Sequence, residues 1–252
     1  MATVQETVHP SAVKTAPPAI EVSHLTKAFY DSEGDRVTVA VSDVGFSVAR
    51  GEFVCIVGPS GCGKTTVLRI LADLEQKLSG TVKLHSATPP AMVFQEASVL
   101  PWLTVAENIA FPLSLRGVSR AEQEARVREL LALTGLTEFA KARPHQLSGG
   151  MKQRVSVARA LVDDREILLM DEPFGALDEQ TRLVLQQELL RIWETTGKTV
   201  VFITHSVDEA LTLADRVLVM SPRPGTLVAN LTVPFERRAT LSRCAATSGS
   251  GI

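Results

Sequence analysis

The stretch EFVCIVGPSGCGKT (52–65) constrains the fold of this chain more than any other. An unbroken apolar run ends in glycine, as a strand buried on both faces does. GPSGCGKT (58–65) then matches G-x-x-x-x-G-K-[ST], the pattern of a loop that wraps a phosphate chain. Its glycines let backbone amides turn inward with no Cβ in the way. A helix expected from Gly63 points its positive end at the same spot, with Val67, Leu68, Leu71 and Leu74 spaced for one buried face. Lys64 supplies a mobile charge for β- and γ-phosphates, and Thr65 a hydroxyl for Mg²⁺. Cys62 lies inside the loop. The helix start and Lys64 favour its thiolate, so a thiol-alkylating reagent is expected to block activity and nucleotide to protect against it.

Other strand ends carry matching chemistry. ILLMDE (167–172) delivers Asp171 to the C-terminal edge of a sheet, where it suits Mg²⁺, through water. Glu172 beside it suits polarising an attacking water. KTVVFITH (198–205) brings His205 to the same edge, within reach of a γ-phosphate or that water. Gln95, after AMVF, is a neutral amide able to ligate Mg²⁺ or water. LSGGMKQR (147–154) forms a second grip, with Ser148, Gly149 and Gly150 at the start of a helix. One chain with two phosphate grips raises the question of whose phosphate the second one holds.

The rest of the pattern sets the architecture. IEVSHL, RVTVAV and VGFSVA, between Ile20 and Val48, suggest a small antiparallel sheet. Residues from about 97 to 162 read mostly helical, with capping-box spacing at Thr104–Glu107 and Ser119–Glu122, and Pro144 breaking the chain before LSGG. A further capping box is expected at Ser206–Glu209. Strand–helix alternation on both sides of a helical stretch implies an α/β core carrying a helical lobe.

At 252 residues the chain can bury one large domain or two joined lobes. Its net charge of -2 gives no general attraction to nucleic acid or anionic lipid. Three irregularly spaced cysteines, Cys55, Cys62 and Cys244, argue against a disulfide framework or zinc site and fit a reducing, cytosolic setting. No apolar run is long enough to span a bilayer, and residues 1–19 lack a signal-like apolar core. Residues 1–19 and 234–252 read as flexible tails, and any membrane role has to come through a partner.

The ordered set GPSGCGKTT, VFQ, LSGGMKQR, ILLMDEP, GALD and ITH strongly resembles the ATPase subunits of ATP-binding cassette (ABC) transporters, over about residues 20–233. The resemblance implies a P-loop NTPase (RecA-like) core with an antiparallel β subdomain and a helical insert. It implies that Gly58, Pro59, Ser60, Gly61, Cys62, Gly63, Lys64, Thr65 and Thr66 form Walker A, and that Gln95 is the Q-loop residue. Ser148, Gly149 and Gly150 match the signature, Asp171 and Glu172 Walker B and its catalytic carboxylate. Asp178 matches the D-loop with Ala176 and Leu177, and His205 the switch histidine. Phe29 matches the residue that stacks on adenine, with Tyr30 a close rival. Glu172, His205 and Lys64 are then catalytic, Thr65, Gln95 and Asp171 hold Mg²⁺, and ATP is the substrate. In such proteins two copies close head to tail, each signature meeting the partner's nucleotide. Integral permease subunits, and indirectly a solute-binding protein, complete the assembly at the cytoplasmic face of the inner membrane.

VLPWLTVAENIAFPL and VMSPRPGTLVANLTVPFERR look like the importer branch serving nitrate, aliphatic sulfonates and taurine. Pyrimidine-precursor importers stay open as relatives. Met151 stands where glutamine is common and Asp73 where glycine is usual, and residues 79–95 form a short span for the family. A fused C-terminal regulatory domain is not expected. VLPW (99–102) is a candidate apolar floor for a permease helix, with Trp102 equally readable as lobe core. Two competing classes, a soluble ATPase acting on nucleic acid or ribosomes and a P-loop kinase, are opposed by the single cassette, the charge, the signature and the D-loop.

Overall fold

The computed structural model describes residues 18–30 and 37–234. Its centre is a six-stranded sheet in the order β5-β6-β7-β3-β8-β9. The strands are β3 (Phe53–Val57), β5 (Ala91–Val93), β6 (Ile167–Asp171), β7 (Thr199–Ile203), β8 (Arg216–Met220) and β9 (Leu227–Thr232). The first five in that order run parallel, and β9 closes one edge antiparallel to β8.

The central runs are unbroken apolar because both faces are covered. Val54, Ile56, Leu169, Val201, Ile203 and Leu218 pack on one side with helix α1 (Lys64–Leu71) and the smaller sheet. Their strand neighbours Phe53, Cys55, Leu168, Met170, Val200, Phe202 and Val217 point to the other side. There they meet α4 (Gly149–Leu161), α5 (Glu179–Thr196) and α6 (Val207–Leu213). The smaller sheet is antiparallel, in the order β2-β1-β4, from β1 (Pro18–Tyr30), β2 (Val37–Ala49) and β4 (Ser79–Leu84). RVTVAV and VGFSVA thus contribute to one long strand rather than two. Pro18 and Ala19, counted with the N-terminal tail, begin β1; the remainder of that tail, the tail from 235 and Cys244 lie outside the described residues.

Helices α2 (Val105–Leu115), α3 (Arg120–Leu133) and α4 enclose a separate core of Val105, Ile109, Leu113, Leu131, Leu136 and Val155. Thr104 starts α2 with a reciprocal capping box to Glu107. At Ser119 and Ser206 only the serine half is made. The Glu209 carboxylate accepts instead from Thr204 Oγ1 (2.5 Å) and Gln186 Nε2 (2.9 Å), which draws it away from the helix start. Leu74 also departs from the expected face: α1 ends at Leu71 and Leu74 is exposed. Asp73 explains the early stop. It adopts φ 57°, a left-handed conformation that aspartate tolerates better than most non-glycine residues.

Two features tie the lobe to the core. Asp163, buried after α4, accepts from Arg165 Nε (2.6 Å) and pairs with Arg116 at the end of α2. Gln153, 2% exposed in α4, donates to the Phe94 carbonyl (3.1 Å), immediately before Gln95.

Candidate active site

Strand order builds the site. At their C-terminal ends, successive parallel strands deliver Gln95 (after β5), Asp171 and Glu172 (β6), His205 (after β7) and the phosphate loop (after β3). An open α/β sheet collects ligands along this edge. A cavity of about 280 Å³ lies there, lined by Ser60, Gly61, Gly63, Lys64, Thr65, Thr66, Gln95 and Glu172, and by Phe29, Thr38, Ala40 and Arg223.

The loop is tightly seated. Gly63 has φ 104°, and a Cβ there would stand 2.5 Å from Val41 Cγ1 and 2.9 Å from the Ala40 carbonyl. Only glycine fits this approach between the loop and β2. Lys64 is 6% exposed, and its ammonium donates to the carbonyls of Gly58 (2.8 Å) and Pro59 (3.1 Å). Cys62 is 1% exposed and does not line the cavity. Its thiol is therefore shielded beneath the loop, and the alkylation expected from the sequence finds no exposed target in this arrangement.

The acidic side is a linked set. Thr65 Oγ1 donates to Asp171 Oδ1 (3.1 Å). Burial pushes the Asp171 carboxyl above its usual range and the Glu172 charge adds to this, against the hydrogen bond from Thr65. Glu172 takes φ 44°, with its N–H donating to Ile203 (3.0 Å). That unusual backbone holds the carboxylate at the strand tip, 3.1 Å from His205 Nδ1. Among the described residues no cluster of three His, Cys, Asp or Glu could hold a metal by itself. The donors on hand are one hydroxyl (Thr65), one buried carboxylate (Asp171) and one amide (Gln95). This set fits Mg²⁺, which is commonly bound through one or two carboxylates plus substrate phosphates.

Phe29 lines the cavity and Tyr30 does not, because neighbours on a strand face opposite ways. Lys27 lies 4.8 Å from the centre of the Phe29 ring and is anchored to Glu75 (2.7 Å).

Other residues stand apart. Ser148, Gly149, Gly150 and Asp178 do not line the cavity. Ser148 Oγ accepts from Met151 N (3.2 Å), capping α4, while the Met151 side chain packs on the lobe core. Gly150 lies against Leu177 and Ala176. Asp178 caps α5 through Thr181 N (3.0 Å), a bond that holds its carboxyl below the usual range. The signature and the Ala176–Asp178 turn are thus neighbours within the chain. Trp102 is 64% exposed, which removes it from the lobe core. Buried Asn108 fixes the loop that carries it, accepting from Leu100 N (2.8 Å) and donating to the carbonyls of Leu100, Leu103 and Thr104.

The sequence reading missed Arg223, Gln153 and Asn108. Gln153 lies inside the quoted LSGGMKQR and could have been picked out as an amide on a glycine-opened helix. Arg223 carries no local signal.

A parallel sheet, a phosphate loop leading into a helix, and an acidic strand tip beside it define a P-loop nucleotide-binding cassette with a helical lobe. Comparison with known proteins then sharpens the class. The family described as ABC transporter matches residues 41–175. An uncharacterized ABC transporter ATP-binding protein of Methanocaldococcus jannaschii is 46% identical over 224 residues, covering 86% of this chain and 83% of that protein. A taurine import ATP-binding protein of Rhizobium johnstonii is 47% identical over 225 residues, covering 87% of this chain and 86% of its own length. A dimeric ATP-binding cassette solved in a post-hydrolysis state with ADP and phosphate superposes with a TM-score of 0.78. It is 31% identical and covers 86% of this chain and all of its own. The chain belongs to the ABC transporter family.

Proposed function

We propose that this chain is the ATP-hydrolysing subunit of an importer for a small anionic or zwitterionic solute of the taurine and sulfonate kind. One observation carries the reading. The phosphate loop and Glu172 line one cavity at a sheet edge that also carries Asp171 and His205, while Ser148, Gly149 and Gly150 open a helix of the lobe and do not line it. A second copy of the chain, placed head to tail, supplies the missing grip to each nucleotide. The relatives named for taurine import support the solute class.

In this mechanism Phe29 stacks on adenine and the loop amides of residues 60–66 hold the phosphates. Lys64 neutralises charge on the transferred phosphoryl group. Mg²⁺ would be held by Thr65, Asp171 and Gln95, and would supply charge neutralisation. Glu172 orients and polarises the attacking water, and His205, 3.1 Å away, fixes the carboxylate and contacts the γ-phosphate. Ser148, Gly149, Gly150 and Asp178 act across the dimer. Among the described residues no helix is long and apolar enough to cross a membrane. Association with permease subunits at the cytoplasmic face is the proposed location, with exposed Trp102 at the docking surface and a solute-binding protein outside.

Affinity purification of the chain from its own membranes, followed by reconstitution with whatever permease comes with it, tests this. ATP-driven uptake of taurine or an aliphatic sulfonate is expected. A stable complex that instead moves only a pyrimidine precursor would correct the solute, and failure to bind any permease would overturn the importer assignment.

A further inference from the structure

We propose that Arg223 positions the phosphate loop for nucleotide, a role that rests on reading this loop as the ATP site. β8 is the direct neighbour of β3 on the side away from β7. Its C-terminal end therefore reaches the same sheet edge as the phosphate loop. From the connection between β8 and β9, the Arg223 guanidinium donates twice to one loop carbonyl, that of Gly61, from Nε (3.1 Å) and Nη2 (3.0 Å).

The connection that carries Arg223 is itself fixed. Gly225 N donates to Ala40 O (3.0 Å), Ser42 N donates to Gly225 O (2.9 Å), and Ser221 N donates to Thr226 O (2.9 Å). A Cβ on Gly225 would stand 1.9 Å from the Cys62 carbonyl, so the connection and the loop are in direct contact.

The loop gains from such a brace. Gly61 (φ 75°) and Gly63 (φ 104°) give it wide conformational freedom, which has to be surrendered when phosphates bind. The peptide between Gly61 and Cys62 is held at both ends, its carbonyl by Arg223 and its N–H by the Pro59 carbonyl (3.3 Å). A guanidinium has five N–H donors and the Gly61 carbonyl takes two of its groups, so Arg223 also keeps donors and a full positive charge at the cavity wall. Preorganisation and charge both favour binding a polyanion, while neither touches the attacking water.

The test compares wild type with Arg223→Ala and Arg223→Lys, using ATP affinity, steady-state ATPase activity and melting without nucleotide. Alanine is expected to raise Kd and KM for ATP about tenfold, the scale of a lost charge-assisted contact, with kcat within about twofold. Lysine is expected to recover affinity to within about threefold of wild type. Because Arg223 is exposed, the nucleotide-free Tm should stay within about 2 °C. The inference is overturned if alanine leaves affinity within twofold, lowers kcat at constant KM, or loses affinity only together with a larger drop in Tm. Lysine no better than alanine overturns it as well. A wild-type protein that fails to bind ATP would instead overturn the nucleotide-site reading itself, which separates the two failures.

Discussion

Glu172→Gln replaces one carboxylate oxygen with an amide NH2 and leaves the shape of the strand tip intact. The glutamine can keep the left-handed backbone and a hydrogen bond to His205, now 3.1 Å from the carboxylate. It cannot take a proton from water. The phosphate loop, Lys64 and the Thr65–Asp171 pair are untouched, so ATP binding is expected to persist. Removing a general base costs about 10²–10⁴ in rate, or roughly 3–5 kcal/mol of barrier. The expected result is thus a turnover at least a hundredfold lower, with ATP affinity within about threefold of wild type and a closed dimer accumulating. Phosphate release under saturating MgATP measures the first, and size-exclusion chromatography the last. His205→Ala provides the internal comparison. Because His205 fixes the carboxylate and also contacts the γ-phosphate, its loss alone is expected to be smaller than that of Glu172, and the double variant to fall below Glu172→Gln by less than the His205→Ala effect alone, as for groups that act partly as a unit. Turnover within threefold of wild type in Glu172→Gln, or a larger loss in His205→Ala, would refute the assignment of Glu172 as the water-activating group.

Three further outcomes are expected. Asn108→Leu removes a fully buried amide that makes four hydrogen bonds to the 100–104 segment, and should cost roughly 2–4 kcal/mol in denaturant unfolding. Trp102→Ala should leave ATPase activity and Tm nearly unchanged while permease-coupled transport falls; a large fall in Tm would place the ring in the fold instead. Asp163→Asn should destabilise the chain by about 2 kcal/mol at neutral pH, because Arg116 and Arg165 lose their anion. Burial opposes the charge of Asp163, yet the two arginines hold its carboxyl below its usual range. Its stabilisation is therefore complete above the unfolded-state carboxylate range, near pH 4, and is lost as pH falls through the lower folded value. Chemical unfolding from pH 7 to pH 2 should show that part of the acid dependence missing in Asp163→Asn.

Much of this molecule was legible because its chemistry is written in contiguous stretches. The phosphate loop needs its glycines, Lys64 and Thr65 in one run, and the run states itself. The same holds for the Ser148 cap on α4 and for the apolar strands, whose two buried faces appear as unbroken hydrophobicity. Local reading failed where neighbours competed. Glu209 has capping-box spacing, but Thr204 and Gln186 take its carboxylate; Leu74 has helical spacing, but the chain turns at Asp73.

Sequence by itself determined the parts of this protein that depend on chain neighbours: the loop that can surround a phosphate, the acidic strand tip and the serine-capped helix opened by Gly149 and Gly150. Tertiary structure alone decided what depends on which strands lie side by side. Setting β8 against β3 put Arg223 on Gly61, 162 residues away in the chain. Packing α4 beside β5 put Gln153 on the carbonyl before Gln95, and the lobe's own core left Trp102 outside. Strand order and lobe packing are set by the sum of many weak apolar contacts across the whole chain. No short stretch of residues contains that sum.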